Sequence, residues 1–270
     1  MTTITSLQNP RVKNAVRLRD RRHREKQGRV RIDGLRELTR AMDGNVQLLE
    51  VFICPAKCSR RQTQQLASML GKFDASGAKV FCVDQPVFEK LAFGDRAEGV
   101  LAVAATPETH LEECQLPESP LVAVLEGVEK SGNVGAVVRS ADAAGLDTVV
   151  VADGRTDLFN PNAIRASLGT IFTLPVCAAA SAETIAWLHR NDLAIYAARV
   201  DGAVPYTDVD YRSGTAIVLG SEAKGLSDAW SDESVTSVVL PMLGAADSLN
   251  VSATAAVLFY EARRQRMLGT

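Results

Sequence analysis

Arg139 sits in "SGNVGAVVRSADAAG", residues 131–145, a glycine-punctuated turn that runs into an apolar helix. A guanidinium in that position can hold a phosphate or steady a developing oxyanion. Asn133 is a good N-cap for the helix and Gly145 a good C′ residue. Gly135 lies four residues before Arg139 and shares its helix face, which leaves bare backbone, and room for a bulky anion, beside the guanidinium. The competing reading is a surface pair of Arg139 with Asp142 at i,i+3 spacing. Two later segments have a similar character: "GSEAKGLS" from Gly220, and "PMLGAADSLNVSA" from Pro241. In the second, Asn250 can cap the last helix, with Ser248 and Ser252 adding hydroxyls. Capping explains one such residue, not Pro241, Met242, Ser248, Leu249 and Asn250 together. The chain lacks both a Walker loop and G-x-G-x-x-G, so an ATP or dinucleotide site is disfavoured.

The elements that must position these segments alternate regularly. After residue 120, strands "LVAVLE", "DTVVVAD", "LAIYAARV", "TAIVLG" and "SVVLP" are interleaved with helices at 134–144, "AETIAWLHR" and 250–266. Short apolar strands alternating with helices imply a parallel sheet covered on both faces, with ligands beyond the strands' carboxyl ends. All three polar segments fall at such ends. Upstream, residues 10–42 suit helices broken near Gly28. "VQLLEVFIC", "AKVFCVD" and "GVLAVAAT" read as strands, and "SRRQTQQLASMLGKF" as a helix. "PETHLEECQLPESP", with Pro107, Pro117 and Pro120, reads as a linker. The expected organisation is an α/β domain over 1–106, a linker over 107–119 and an α/β domain over 120–270.

Bulk composition narrows the function classes. The 270 residues are 46% hydrophobic and 23% charged, as expected for a globular protein. No apolar run approaches the roughly 20 residues of a membrane span, and the start lacks an apolar signal core. Five scattered cysteines suit a reduced, cytoplasmic setting. "CPAKC" could be half of a zinc site, but no second Cys or His pair follows at ligand spacing, so no metal is expected. The net charge of −2 hides an asymmetry: between residues 10 and 40 twelve Lys and Arg face four Asp and Glu, an excess of eight, leaving −10 elsewhere. A basic arm that includes Arg11, Arg21 and Arg22 is the footprint of a phosphate-backbone contact, or else a solvated helical face.

Three ordered stretches, "NVGAVVRSADAAG", "IVLGSEAKGLS" and "VVLPMLGAADSLNVSATAAVLFYE", resemble the signature motifs of the SpoU/TrmH family (SPOUT superfamily) of RNA ribose 2′-O-methyltransferases. "NPNAIRASLGTIFTLPV" looks like another family segment. Residues 4–38, "ITSLQNPRVKNAVRLRDRRHREKQGRVRIDGLREL", resemble the substrate-binding domain often attached to these enzymes. The resemblance implies a C-terminal parallel-sheet domain with a deep trefoil knot, plus a smaller L30e-like α/β domain that binds substrate. It implies S-adenosyl-L-methionine held by Gly220, Ser221 and Glu222, by Leu240, Pro241 and Met242, and by Ser248, Leu249 and Asn250, with Ala198 a further candidate. Arg139 would prepare the ribose oxygen and Asn133 would orient the guanidinium or the ribose. Arg165 would touch RNA. The substrate would be structured RNA, rRNA or tRNA, and the protein a homodimer in which Val251, Ala255, Leu258 and Ala262 form an apolar helical stripe. At Lys224 many relatives carry an acidic residue, so the charge beside the cofactor differs here. Two rival readings are a non-catalytic RNA-binding protein that retains the fold, and a Rossmann-type methyltransferase.

Overall fold

The computed structural model describes residues 2–92 and 98–268. The chain divides into two compact units, one of residues 1–107 with 159–173, the other of residues 108–158 with 174–270.

In chain order the first unit contains β1 (Thr2–Ile4), α1 (Pro10–Arg17), α2 (Arg21–Gln27), β2 (Arg29–Asp33), α3 (Leu35–Asp43), β3 (Leu48–Ile53), α4 (Arg60–Ala75), β4 (Lys79–Val83), α5 (Gln85–Leu91) and β5 (Val100–Ala105). The sheet order is β1-β4-β3-β5-β2, with β5 antiparallel to both of its neighbours. The helical reading of residues 10–42 therefore breaks at β2. "RVRID" alternates charged and apolar residues, and its central Arg31 is fully buried. Arg31 is tolerated there because it pairs with Asp33 and donates to the Leu91 carbonyl at 2.6 Å.

Arg31 is one of several arginines in the basic arm that act as internal ties. Arg24 is buried and donates to the carbonyls of Leu18 and Arg19 at 2.7 and 2.8 Å, closing the end of α1. Arg19 reaches the Lys90 and Ala92 carbonyls at the end of α5. Each guanidinium satisfies helix-end acceptors that have no intrahelical partner. Arg11 pairs with Glu50 and lies 5.1 Å over the Phe81 ring, and Arg21 pairs with Glu25. Among the described residues, only Lys13, Arg17, Arg22, Lys26 and Arg29 of the arm keep side chains without a partner.

The second unit carries β6 (Leu121–Glu126), α6 (Ser131–Ala144) and β7 (Thr148–Ala152). The chain then contributes α7 (Pro161–Ala166) to the first unit and returns. There follow β8 (Val176–Ala179), α8 (Ser181–Arg190), β9 (Ala194–Ala198), the short β10 (Val204–Pro205), β11 (Thr215–Leu219), β12 (Val235–Val239) and α9 (Val251–Leu268). The seven strands lie in the order β10-β12-β9-β11-β6-β7-β8, every pair parallel. The core joins Val122, Val124, Val150, Ile195, Val218 and Trp230. Residues 108–119 are not a bare tether: Leu111 is buried in that core, and Thr109 accepts from the Ala178 amide at 2.9 Å. No helix of the described residues is long and apolar enough to cross a membrane.

Segment 159–173 belongs to the first unit because two glycines let backbones meet. A Cβ on Gly44 would overlap the Phe172 carbonyl oxygen, and one on Gly169, already at φ +86°, would lie 2.9 Å from the Glu37 Cα. Arg40 adds a 2.7 Å hydrogen bond to the Leu168 carbonyl. Gly44→Ala should therefore destabilise the protein by about 2 kcal/mol or more, the cost of a side chain forced against fixed backbone. Urea unfolding checks this, and an unchanged midpoint contradicts the close approach.

Candidate functional site

In an all-parallel sheet every strand presents its carboxyl end on the same edge. Ala198 ends β9, Leu219 ends β11 and Leu240 follows β12. These three line one cavity of about 480 Å³ with parts of the turn after Leu219 and of the loop before α9. That volume lies within the ~300–1,000 Å³ usual for small-molecule sites. Ala198, Gly220, Ser221, Glu222, Leu240, Met242, Ser248 and Leu249 all line it, so three stretches far apart in the chain meet in one place. Arg199, Asp201, Lys224 and Asp247 also line it, although the motif reading passed over Arg199, Asp201 and Asp247. Arg199 and Asp201 directly follow a strand end, the one signal that could have marked them. Pro241 is exposed and stands outside the lining.

The turn after β11 is held tightly. Ser221 and Gly225 exchange backbone hydrogen bonds of 3.1 and 2.9 Å, and Ser221 Oγ accepts from the Lys224 amide. A Cβ on Gly220 would strike the Gly225 backbone, so Gly220 is required by the turn itself. One strand over, the buried Glu126 at the end of β6 accepts from the Ser227 amide and hydroxyl at 2.7 and 2.6 Å, and from the Ser181 hydroxyl at 2.9 Å. That carboxylate anchors the far side of the turn and the start of α8.

Glu222 joins the motif segments. Its carboxylate receives Lys130 Nζ at 2.7 Å and the Asn250 side-chain amide. Lys130, with a smaller contribution from Asn250, holds it below the usual carboxylate range, and Glu222 in turn raises the Lys130 ammonium. Asn250 does not line the cavity. It caps α9, its Oδ1 accepting from the Ser252 amide at 3.0 Å and hydroxyl at 2.6 Å, while its Nδ2 grips Glu222.

The first motif departs from expectation in three respects. α6 starts at Ser131 with Lys130 as the N-cap, so Asn133 lies inside the first turn. Its Nδ2 is buried with no hydrogen-bond acceptor, beside the Glu222 network. Gly135 is buried, so it opens no surface space beside Arg139. Arg139 itself is exposed, forms no pair with Asp142 and has no other partner among the described residues, which removes the salt-bridge reading. It lies outside the cavity lining, six residues beyond Asn133, or about 9 Å along the helix axis. Arg165 is half-buried in the first unit, beside a small hollow that Asp33 and Glu98 also line. No group of three metal-ligating side chains occurs among the described residues.

Comparison with known proteins accords with this geometry. Residues 120–260 match the SpoU rRNA Methylase family, and residues 9–102 match an MRM3-like substrate binding domain. The chain is 26% identical to the 23S rRNA (guanosine(2553)-2′-O)-methyltransferase RlmP of Bacillus subtilis, over 97% of this chain and 100% of the relative. It is similar to the crystal structure of an RNA 2′-O ribose methyltransferase, with 39% identity, a TM-score of 0.85, and coverage of 98% of this chain and 100% of that one. An AdoMet-bound rRNA methyltransferase from Sinorhizobium meliloti superposes with a TM-score of 0.87 at 27% identity, over 97% of each chain. With motif segments gathered at the carboxyl edge of a parallel sheet, and likeness over nearly its full length, the chain belongs to the SpoU rRNA methylase family.

Proposed function

We propose that this protein is an enzyme that transfers a methyl group from S-adenosylmethionine to a ribose 2′-hydroxyl of structured rRNA. The observation that carries this reading is the convergence of three separated motif segments on one cavity. The AdoMet-bound relative supports the cofactor, and the relatives' printed names support rRNA. The intact cavity and the partnerless Arg139 favour an enzyme over a binding protein that merely retains the fold. The absence of G-x-G-x-x-G, and a loop cluster centred on β9, β11 and β12, disfavour the Rossmann alternative. A knotted C-terminus is part of the proposal. β12 lies outside β9 while β11 lies inside it, an order that supports a crossing of the late connections. Soluble cytoplasmic location is the setting we propose.

The residues fit the cofactor, since the lining combines apolar Leu219, Leu226, Leu240 and Met242 with the hydroxyl residues Ser221 and Ser248 and several charged residues. Bound there, S-adenosylmethionine supplies an electrophilic methyl group. Ala198, Gly220, Ser221, Leu240, Met242, Ser248 and Leu249 would hold it. Glu222, itself in the lining, and Asn250 behind it keep the two loops in register. Asn133 packs against that clamp and serves to position it. A guanidinium is a poor base, because it holds its proton throughout the physiological range. The free guanidinium of Arg139 is suited to fix a substrate phosphate and stabilise alkoxide charge as the 2′-oxygen attacks, with that phosphate taking the proton.

Arg139→Ala should leave folding intact, because the side chain is exposed and partnerless. Single-turnover methylation should fall about 100-fold or more, the scale of losing one preorganised charge donor. RNA affinity should change far less. Arg139→Lys should recover part of the rate, since it keeps the charge but not the planar fork. A wild-type rate for the alanine variant would remove Arg139 from the chemistry.

Dimerisation, also proposed here, must use a different face from the expected stripe. Val251, Ala255, Leu258 and Ala262 are buried within the protomer. The outer side of α9 instead exposes Val257 at 38% and Tyr260 at 53%, and the Tyr260 hydroxyl touches the Ala143 carbonyl four residues past Arg139. Tyr260→Glu with Val257→Asp should convert a dimer to a monomer in light scattering. A monomeric wild type at micromolar concentration would refute the dimer.

For RNA, Arg11 and Arg21 are engaged by Glu50 and Glu25, and Arg165 is half-buried near carboxylates, which leaves Arg22 as the earlier candidate best placed for phosphate. Arg22 and Lys26 share a face of α2 at i,i+4 spacing, as do Lys13 and Arg17 on α1. Arg22→Gln with Lys26→Gln should lower the slope of log affinity against log salt by about 1.5. Cofactor affinity should not move. An unaltered slope would return this face to plain solvation.

A further inference from the structure

The cavity lining contains five ionisable side chains: Arg199, Asp201, Glu222, Lys224 and Asp247. Three are already committed. Arg199 Nε donates to Asp201 Oδ1 at 3.1 Å, which holds Asp201 below the usual carboxylate range. Glu222 is occupied by Lys130 and Asn250. Lys224 and Asp247 remain, both exposed and without a side-chain partner among the described residues. They come from different segments. Lys224 rides on the rigid turn closed by Ser221 and Gly225, its own amide fixed to Ser221 Oγ at 3.2 Å, and Asp247 belongs to the loop before α9. The backbone under Lys224 is thus anchored while its ammonium stays uncommitted.

An uncommitted cation and an uncommitted anion on one cavity match a ligand that carries both an anion and a cation of its own. An α-amino acid is such a ligand, with a carboxylate and an ammonium on one carbon. We infer that Lys224 receives the α-carboxylate, and Asp247 the α-ammonium, of the methionine end of S-adenosylmethionine. This rests on the methyl-donor reading above and adds a division of labour to it: apolar walls for the adenosine, a charge pair for the amino acid. It also gives a use to the cation at Lys224. A lysine serving only to oppose the positive sulfonium would weaken donor binding.

Calorimetry on the full chain tests the assignment with two ligands, S-adenosylhomocysteine and 5′-methylthioadenosine. Both carry the adenosine and a neutral thioether, but the second lacks the amino acid. Lys224→Gln and Asp247→Asn should each weaken S-adenosylhomocysteine about ten-fold, the scale of one charge-assisted hydrogen bond. Binding of 5′-methylthioadenosine should stay within about two-fold of wild type, because the removed charges face nothing on that ligand. Equal loss for both ligands, or no loss for either, overturns the proposal. So does a Lys224→Gln variant that binds S-adenosylmethionine more tightly while S-adenosylhomocysteine is unchanged, the signature of simple repulsion from the sulfonium. A wild type that binds neither ligand would overturn the methyl-donor reading itself, a result distinct from wild-type binding that the variants fail to alter.

Discussion

The Glu222 carboxylate is the constraint on which the site depends. It sits in a turn stiffened by the Ser221–Gly225 pairing and bonds at once to the start of α6 and to the cap of α9. Without it, Lys130 would be a free surface cation and Asn250 only a helix cap. Its neighbour Glu126 serves the opposite flank, satisfied by Ser181 and Ser227 where an unpaired buried carboxylate would be costly. Two acids at adjacent strand ends thus convert loops into fixed walls. Preorganisation of this kind means that the loop order is established before a ligand arrives.

Much of the second unit could be read from residue types. Parallel β6, β7 and β11 are mainly apolar runs, and such runs signal burial on both faces, whereas β9 and β12 keep half-buried positions, Thr236 and Ser237 of β12 among them. β8 was missed because "VCAA" is short, follows a proline and ends in residues with weak strand preference. Gly145 closes α6 at φ +73° as its position suggested, but Asn133 did not cap it. A good capping residue is only permission to start a helix, and here the helix starts three residues earlier, with Lys130 as the cap. Of the cofactor residues, eight of the ten line the cavity, because the motifs that name them coincide with strand ends. Arg199 and Asp201 lay in no such motif, although the same strand-end logic applies to them.

The basic arm shows where charge counting falls short. A sum over residues 10–40 cannot distinguish an arginine that meets solvent from one that closes a helix. Arg19 and Arg24 each bind two helix-end carbonyls through one terminal nitrogen, while Arg31 uses its planar fork to hold Asp33 and the Leu91 carbonyl at once. Composition therefore overstates the surface charge, and only burial and partner geometry recover the portion that faces water.

The return of residues 159–173 to the first unit has a consequence for biosynthesis. A chain emerging from the ribosome completes Pro107 well before Thr173, and domains generally begin to fold in that order. Gly44 and Glu37 must wait for Phe172 and Gly169, which appear only after β6, α6 and β7 have been made. The first unit thus spends part of translation with a groove that its own later sequence will fill. Folding of the two units is interleaved in time rather than sequential, and a gene fragment ending at Pro107 would encode a unit missing one of its packing partners.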